Sequence, residues 1–233
     1  MELPESETIA LPTGPARVEW RRSLRARRVS LRIDLRGGAV VVTLPMRAGR
    51  RAGLALLTTH ADWVADRLAA LPRAVTFADG AEVPIGGTPH LIRHCPETRG
   101  GAWLTEGVLH VSGRPEFLAR RVGDFLRAEA RRRLAVLVAE KARRAGLTHT
   151  RLTIKDTRTR WGSCAADGAL AFSWRLVMAP DFALDYVAAH EVAHLRHMNH
   201  GPRFWALVDK LTVHRTQAIA WLNEEGSALL RVG

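Results

Sequence analysis

Across residues 29–45, VSLRIDLRGGAVVVTLP, apolar and polar positions alternate, break at Gly37 and Gly38, and resume through Val40, Val41 and Val42. A period of two around a glycine turn predicts a β-hairpin. From 48 to 71 the period lengthens. Leu54, Leu57, Ala61, Val64 and Leu68 recur at helical spacing, and Pro72 stands just past the end of the helix they predict. The pieces VTFADGAEVPIGG, HLIRH and WLTEGVLHVSG, divided by Gly, Pro and Asp turns, predict a further small antiparallel sheet.

Beyond residue 115 the helical period returns. Phe117, Val122, Phe125, Leu126, Ala130, Leu134, Leu137, Val138 and Ala142 mark a long helix with an arginine-rich polar face, closed by Gly146. LTHTRLTIKDTRTRWGSC and GALAFSWRLVMAP then predict two short strands joined by a turn at Asp167 and Gly168, ahead of a helix beginning near Asp181. A last amphipathic run passes through Phe204, Val208, Leu211, Ile219 and Leu222, with a break expected at 213–216. Residues 1–16 hold three prolines and no usable period, and read as a flexible tail. The expected fold is α+β: the tail at 1–16, a β-rich N-terminal domain with a helix at 17–114, and a second domain at 115–233 in which a small sheet packs on helices.

Composition narrows the classes. The 233 residues are 47% hydrophobic and 25% charged, ordinary for a globular protein. No apolar run approaches the roughly 18 residues of a spanning helix, and the first residues lack a signal peptide's basic start and apolar run. These features predict a cytoplasmic protein with no membrane partner. Cys95 and Cys164 are too few for a disulfide framework and form no C-x-x-C pair. The net charge of +12 is uneven: residues 20–73 carry twelve arginines against three aspartates, a local +9. Such a region can attract nucleic acid, nucleotides or acidic proteins, or simply form a solvated surface.

The chemistry concentrates in HEVAHLRHMNH, residues 190–200. On a helix His190 and His194 lie on one face and can point imidazole nitrogens at one cation. Glu191, about 100° around the helix, is near enough to take a proton from a water on the metal without ligating it. Imidazole suits zinc, and a catalytic zinc usually has three protein ligands. His197 would lie about 10 Å along a straight helix from His190, too far to share coordination. His200 is the better third ligand if the chain turns back: Asn199 and Gly201 tolerate the left-handed conformation that ends helices and Pro202 opposes immediate continuation, although a ligand from elsewhere stays open.

These residues resemble a known family. WGSC at 161–164, then Tyr186, Val187, His190, Glu191, His194 and Leu195, then Asn199, His200, Phe204 and Trp205 match the pattern of the YgjP-like metallopeptidases, relatives of SprT-type and other zincins. Val192 departs, standing where the family usually has leucine. The resemblance extends more weakly forward through RSLRARRVSLRI. It implies a zincin-like core with a small sheet beside the metal helix, one zinc ion, and His190, His194 and His200 as ligands. Trp161, Gly162 and Ser163 can line the cleft, with Ser163 or Arg160 donating to a substrate oxygen, or they can be structural. Cys164 has no nearby base to make it a nucleophile.

The leading expectation is zinc-assisted hydrolysis of a peptide bond, with Glu191 as general base and a protein or peptide substrate. One alternative is a metal-dependent nucleoside triphosphate pyrophosphohydrolase, using the arginine-rich half to hold phosphates. Another is a nucleic-acid-associated protein with a structural metal.

Overall fold

The computed structural model describes residues 5–157 and 159–233. The chain forms two compact units, Met1–Arg73 and Ala74–Gly233.

In the first unit, β1 (Ser6–Leu11), β2 (Gly14–Ser23), β3 (Ser30–Asp34) and β4 (Ala39–Pro45) form a sheet of order β1-β2-β4-β3. The expected hairpin is β3–β4, in antiparallel register from Ser30↔Thr43 to Asp34↔Ala39. The described part of the expected tail is ordered. Residues 6–11 pair antiparallel with β2, and Glu7 accepts hydrogen bonds from Arg50 and the Trp20 indole. Those partners are distant in sequence, so no local period announced the strand. Residues 1–4 of that expected tail lie outside the described residues.

The predicted single helix is two, α1 (Arg50–Thr59) and α2 (Ala61–Ala69), parted at His60. Leu57, Ala61 and Val64 pack with Val18, Trp20, Val40, Val42 and Leu44 in one core. Gly53 lies so close to Trp20 that a Cβ would stand 2.5 Å from its ring.

The second unit has two sheets. β5 (Glu82–Ile85), β6 (Thr88–Cys95), β7 (Ala102–Thr105) and β8 (Val108–Ser112) form the order β5-β6-β8-β7. The expectation of an antiparallel sheet fails at its centre, where β6 and β8 run parallel. Alternation reports which face is buried and is blind to strand direction. After a 3₁₀ turn comes α3 (Leu118–Ala145), 28 residues ending on Gly146 at φ 62°, the left-handed cap its sequence predicted.

The third sheet has three strands where two were expected: β9 (Arg151–Lys155), β10 (Gly162–Cys164) and β11 (Ala169–Ser173), in the order β10-β11-β9. A 3₁₀ turn, Trp174–Met178, leads into α4 (Asp181–His194), followed by α5 (Pro202–Leu211), α6 (Arg215–Glu224) and α7 (Gly226–Leu229). The gap between α5 and α6 falls at the expected break.

The expected boundary near residue 114 is not a packing boundary. Val83, Ile85, Ile92, Leu109 and Val111 share one buried cluster with Val122, Leu126 and Leu134 of α3 and Leu184 and Ala188 of α4. A change from strands to helices therefore occurs inside one core, and the division falls at 73/74. Among the described residues no helix is long and apolar enough to cross a membrane.

Candidate functional site

The apolar character of α4 explains its place. Ala183, Leu184, Tyr186, Val187, Ala188, Ala189, Val192 and Ala193 are all buried, so the helix is covered on nearly every side. It packs against α3, α5, α6 and β10. At its far side Lys141 of α3, 1% exposed, donates to Asp185 at 2.5 Å and to the Leu211 carbonyl at 3.1 Å. The Thr212 hydroxyl also donates to Asp185, fixing α4 against α3 and the end of α5.

Where α4 ends, the amide of Leu195 bonds the carbonyl of Val192 and that of Arg196 bonds Ala193, a tightened last turn that bends the chain away. No left-handed residue makes the bend: the non-glycine residue with positive φ among those described is Glu106, and Gly201 has φ −75°. Pro202 starts α5 rather than opposing a helix, because the first helical position needs no amide donor. The reversal brings His200 back over the end of α4.

The three Nε2 atoms of His190, His194 and His200 then form a nearly equilateral triangle, with edges of 3.3 Å (190–194), 3.2 Å (190–200) and 3.1 Å (194–200). Zinc–nitrogen lengths of about 2.0–2.1 Å in a tetrahedral site place ligand nitrogens about 3.3–3.4 Å apart, so this donor set fits such an ion. His197 contributes a backbone atom instead of its ring. Its carbonyl lies 3.0 Å from His194 Nδ1, which fixes the Nδ1–H tautomer and leaves Nε2 as a lone-pair donor. The Tyr186 hydroxyl stands 3.5 Å from His190 Nδ1.

Phe204 of α5, fully buried, touches all three rings at centroid distances of 5.0, 4.6 and 4.7 Å. Trp205 stacks on His200 at 5.7 Å and 25°, and the Arg215 guanidinium covers the tryptophan at 4.6 Å. Burial holds His190 down at about 4, with His194 and His200 adding to the effect, and burial likewise lowers His194. Neutral imidazoles are the form a metal requires.

Glu191 is 5% exposed, and among the described residues its Oε2 has no hydrogen-bond partner. Burial pushes its carboxyl up to about 7, while Arg160 pulls the other way. The space it occupies is made by Gly162: a Cβ there would lie 2.5 Å from Glu191 Oε1.

The other WGSC residues divide. Trp161 packs against Gly226 at the start of α7, and its carbonyl accepts from the Ser173 amide, an anchoring role. Ser163 pairs with Ala171 in β10–β11, and Arg160 is exposed. Burial raises the Cys164 thiol, and Glu191 and Asp167 raise it further, so the group stays protonated. Sequence reasoning missed the His197 carbonyl, which has no side-chain signature, and the Gly162–Glu191 approach, whose only signal was the glycine in WGSC.

A family model described as YgjP-like, metallopeptidase domain, matches residues 27–225, taking in most of both units. No curated protein matches the chain. Among solved structures, the crystal structure of the metallopeptidase zymogen of Pyrococcus abyssi abylysin is similar at 15% identity and a TM-score of 0.36, over 40% of this chain and 95% of that one.

Proposed function

The chain belongs to the YgjP-like metallopeptidase family, and from that premise we propose that it is a zinc-dependent peptidase in which His190, His194 and His200 hold one metal ion and Glu191 is the general base. The observation that carries this reading is the triangle of Nε2 atoms with edges of 3.1–3.3 Å. Three like nitrogens meeting in a half-buried site satisfy one another poorly as hydrogen-bond partners, and a shared cation resolves that conflict.

A bound zinc supplies Lewis acidity, polarising the scissile carbonyl and making water acidic enough to ionise near neutral pH. The remaining work falls to side chains. Glu191, desolvated and with one oxygen unpartnered, takes the water's proton and returns it to the leaving amine. Its burial beside the histidines keeps bulk water from competing for that proton in both directions of the transfer. His197 and Trp205 orient His194 and His200, and Gly162 keeps β10 clear of the base.

The test is Glu191→Gln assayed on unfolded proteins and, separately, on a nucleoside triphosphate panel, with metal content measured alongside a His194→Ala control. Glu191→Gln should keep stoichiometric metal and lose about 10²–10⁴-fold in kcat, while His194→Ala should lose the metal. Full peptidase activity in Glu191→Gln, or triphosphate consumption without proteolysis by the wild type, would overturn the assignment.

A further inference from the structure

Part of the positive charge of residues 20–73 is gathered at one end of the first unit's sheet, whereas Arg32 lies within β3, Arg36 in the turn at the opposite end, and Arg67 and Arg73 in and beyond α2. Strands β2 and β4 are parallel neighbours, with Arg22 opposite Leu44 and Ser23 opposite Pro45, so the segments leaving both strands emerge together. β3 begins at the same end, Ser30 lying opposite Thr43. Arg22 ties the two exits by donating to the Met46 carbonyl at 2.7 Å and to that of Ala48 at 3.4 Å.

These exits carry Arg25, Arg27, Arg28, Arg47 and Arg51, all exposed and, among the described residues, without an ion pair. Between positions 20 and 61 the one acidic residue, Asp34, is buried at the opposite end of β3; Glu5, Glu7 and Glu19 lie nearer the arginines, beside Trp20, where Glu7 pairs with Arg50 and Glu19 with Arg21. The first loop is a built turn. The Ser23 hydroxyl accepts from the Arg25 amide and the Ser23 carbonyl from the Ala26 amide. At its tip Leu24 is 87% exposed, and Met46 across the gap is 50% exposed.

We propose that this end of the first unit docks on an anionic phospholipid surface, the arginines on headgroup phosphates and Leu24 and Met46 in the acyl boundary. Guanidinium groups pair with phosphate bidentately, and anionic headgroups attract clustered basic residues. The choice between polyanions rests on the apolar residues. A single-stranded nucleic acid would call for aromatic platforms, and residues 23–29 and 46–51 hold none. Two exposed aliphatic side chains amid basic residues match the pattern of interfacial binding. Such docking needs no spanning helix, so it goes beyond the expected absence of a membrane partner without requiring any segment to cross. It is also independent of the peptidase reading, because it involves no residue of the histidine site.

The experiment is sedimentation of the full chain with vesicles of phosphatidylcholine alone and of phosphatidylcholine with phosphatidylserine, at low and high salt, with a duplex and a single-stranded DNA as competitors. The wild type should bind only the phosphatidylserine vesicles and release with salt. Arg25→Ser/Arg27→Ser/Arg28→Ser should weaken binding about 100-fold, at about five-fold per charge. Leu24→Ser/Met46→Ser should weaken it at least about ten-fold. An unchanged circular dichroism spectrum and an unchanged thermal midpoint in each variant check that the chain still folds. Absence of binding at low salt, equal binding by the Leu24→Ser/Met46→Ser variant, or tighter binding to either DNA than to the vesicles would overturn the proposal.

Discussion

The histidine end of the second unit and the arginine end of the first are each made where two chain segments meet, yet they respond to change by different physics. Around the triad, groups are closely fitted, with His200 alone exposed at the rim: Phe204 is fully buried, Glu191 is 5% exposed, and the nitrogens sit within 3.1–3.3 Å of one another. At the sheet end the guanidinium groups stand in water, each acting as a separate charge. The first region depends on tenths of an ångström and fails when one atom is added. The second depends on total charge and weakens by increments.

The sharpest way to break this contrast is Gly162→Ala. An added methyl would meet the Glu191 carboxylate at 2.5 Å, so kcat should fall about 100-fold while metal content holds. Wild-type kcat in that variant would show that the base tolerates displacement. Trp205→Leu comes next. Loss of the ring stacked on His200 should weaken metal retention about ten-fold in chelator competition, with the fold intact by circular dichroism; unchanged affinity would mean that His200 holds its position unaided. Arg27→Ser, a change of one solvated charge, should cost only about five-fold in vesicle binding and nothing in metal content. A loss as large as that of the triple variant would reveal a fitted site where additive charges are expected.

Glu129 on α3 is the intermediate case, paired but wet. It accepts from Arg132 at 2.6 and 2.8 Å and from Arg133 at 2.7 Å. The Arg132 hydrogen bond, with Arg133 adding and partial burial opposing, holds its carboxyl at about 2 against an ordinary 4.5. A carboxyl lowered on folding contributes stability that is whole above pH 4.5 and lost as pH falls to about 2. Glu129→Gln should therefore cost about 1 kcal/mol at pH 7 after solvent screening, by denaturant midpoint, and the difference should vanish towards pH 2. A deficit that stays constant with pH would assign the loss to packing.

What was legible in the sequence was local. The spacing of His190, Glu191 and His194 requires only a helix to become a half-built site, and Gly146 announces the end of α3 because a left-handed cap favours glycine. His200 was readable as a candidate because the turn before it is short, although tightened hydrogen bonds and Pro202 at the start of α5 made the reversal in place of left-handed residues. The amounts of charge and apolar residue were equally plain.

Tertiary structure decided what those amounts are next to. Parallel pairing of β2 with β4 gathered the arginines, and parallel pairing of β6 with β8 made the sheet that joined α3 in one core and moved the division of the chain to 73/74. Burial left Glu191 beside Gly162 and the His197 carbonyl beside His194. Periodicity specifies the face a side chain occupies, and capping specifies where an element stops. Strand direction, backbone partners and the close approach of residues far apart in sequence arise only when those faces are packed together.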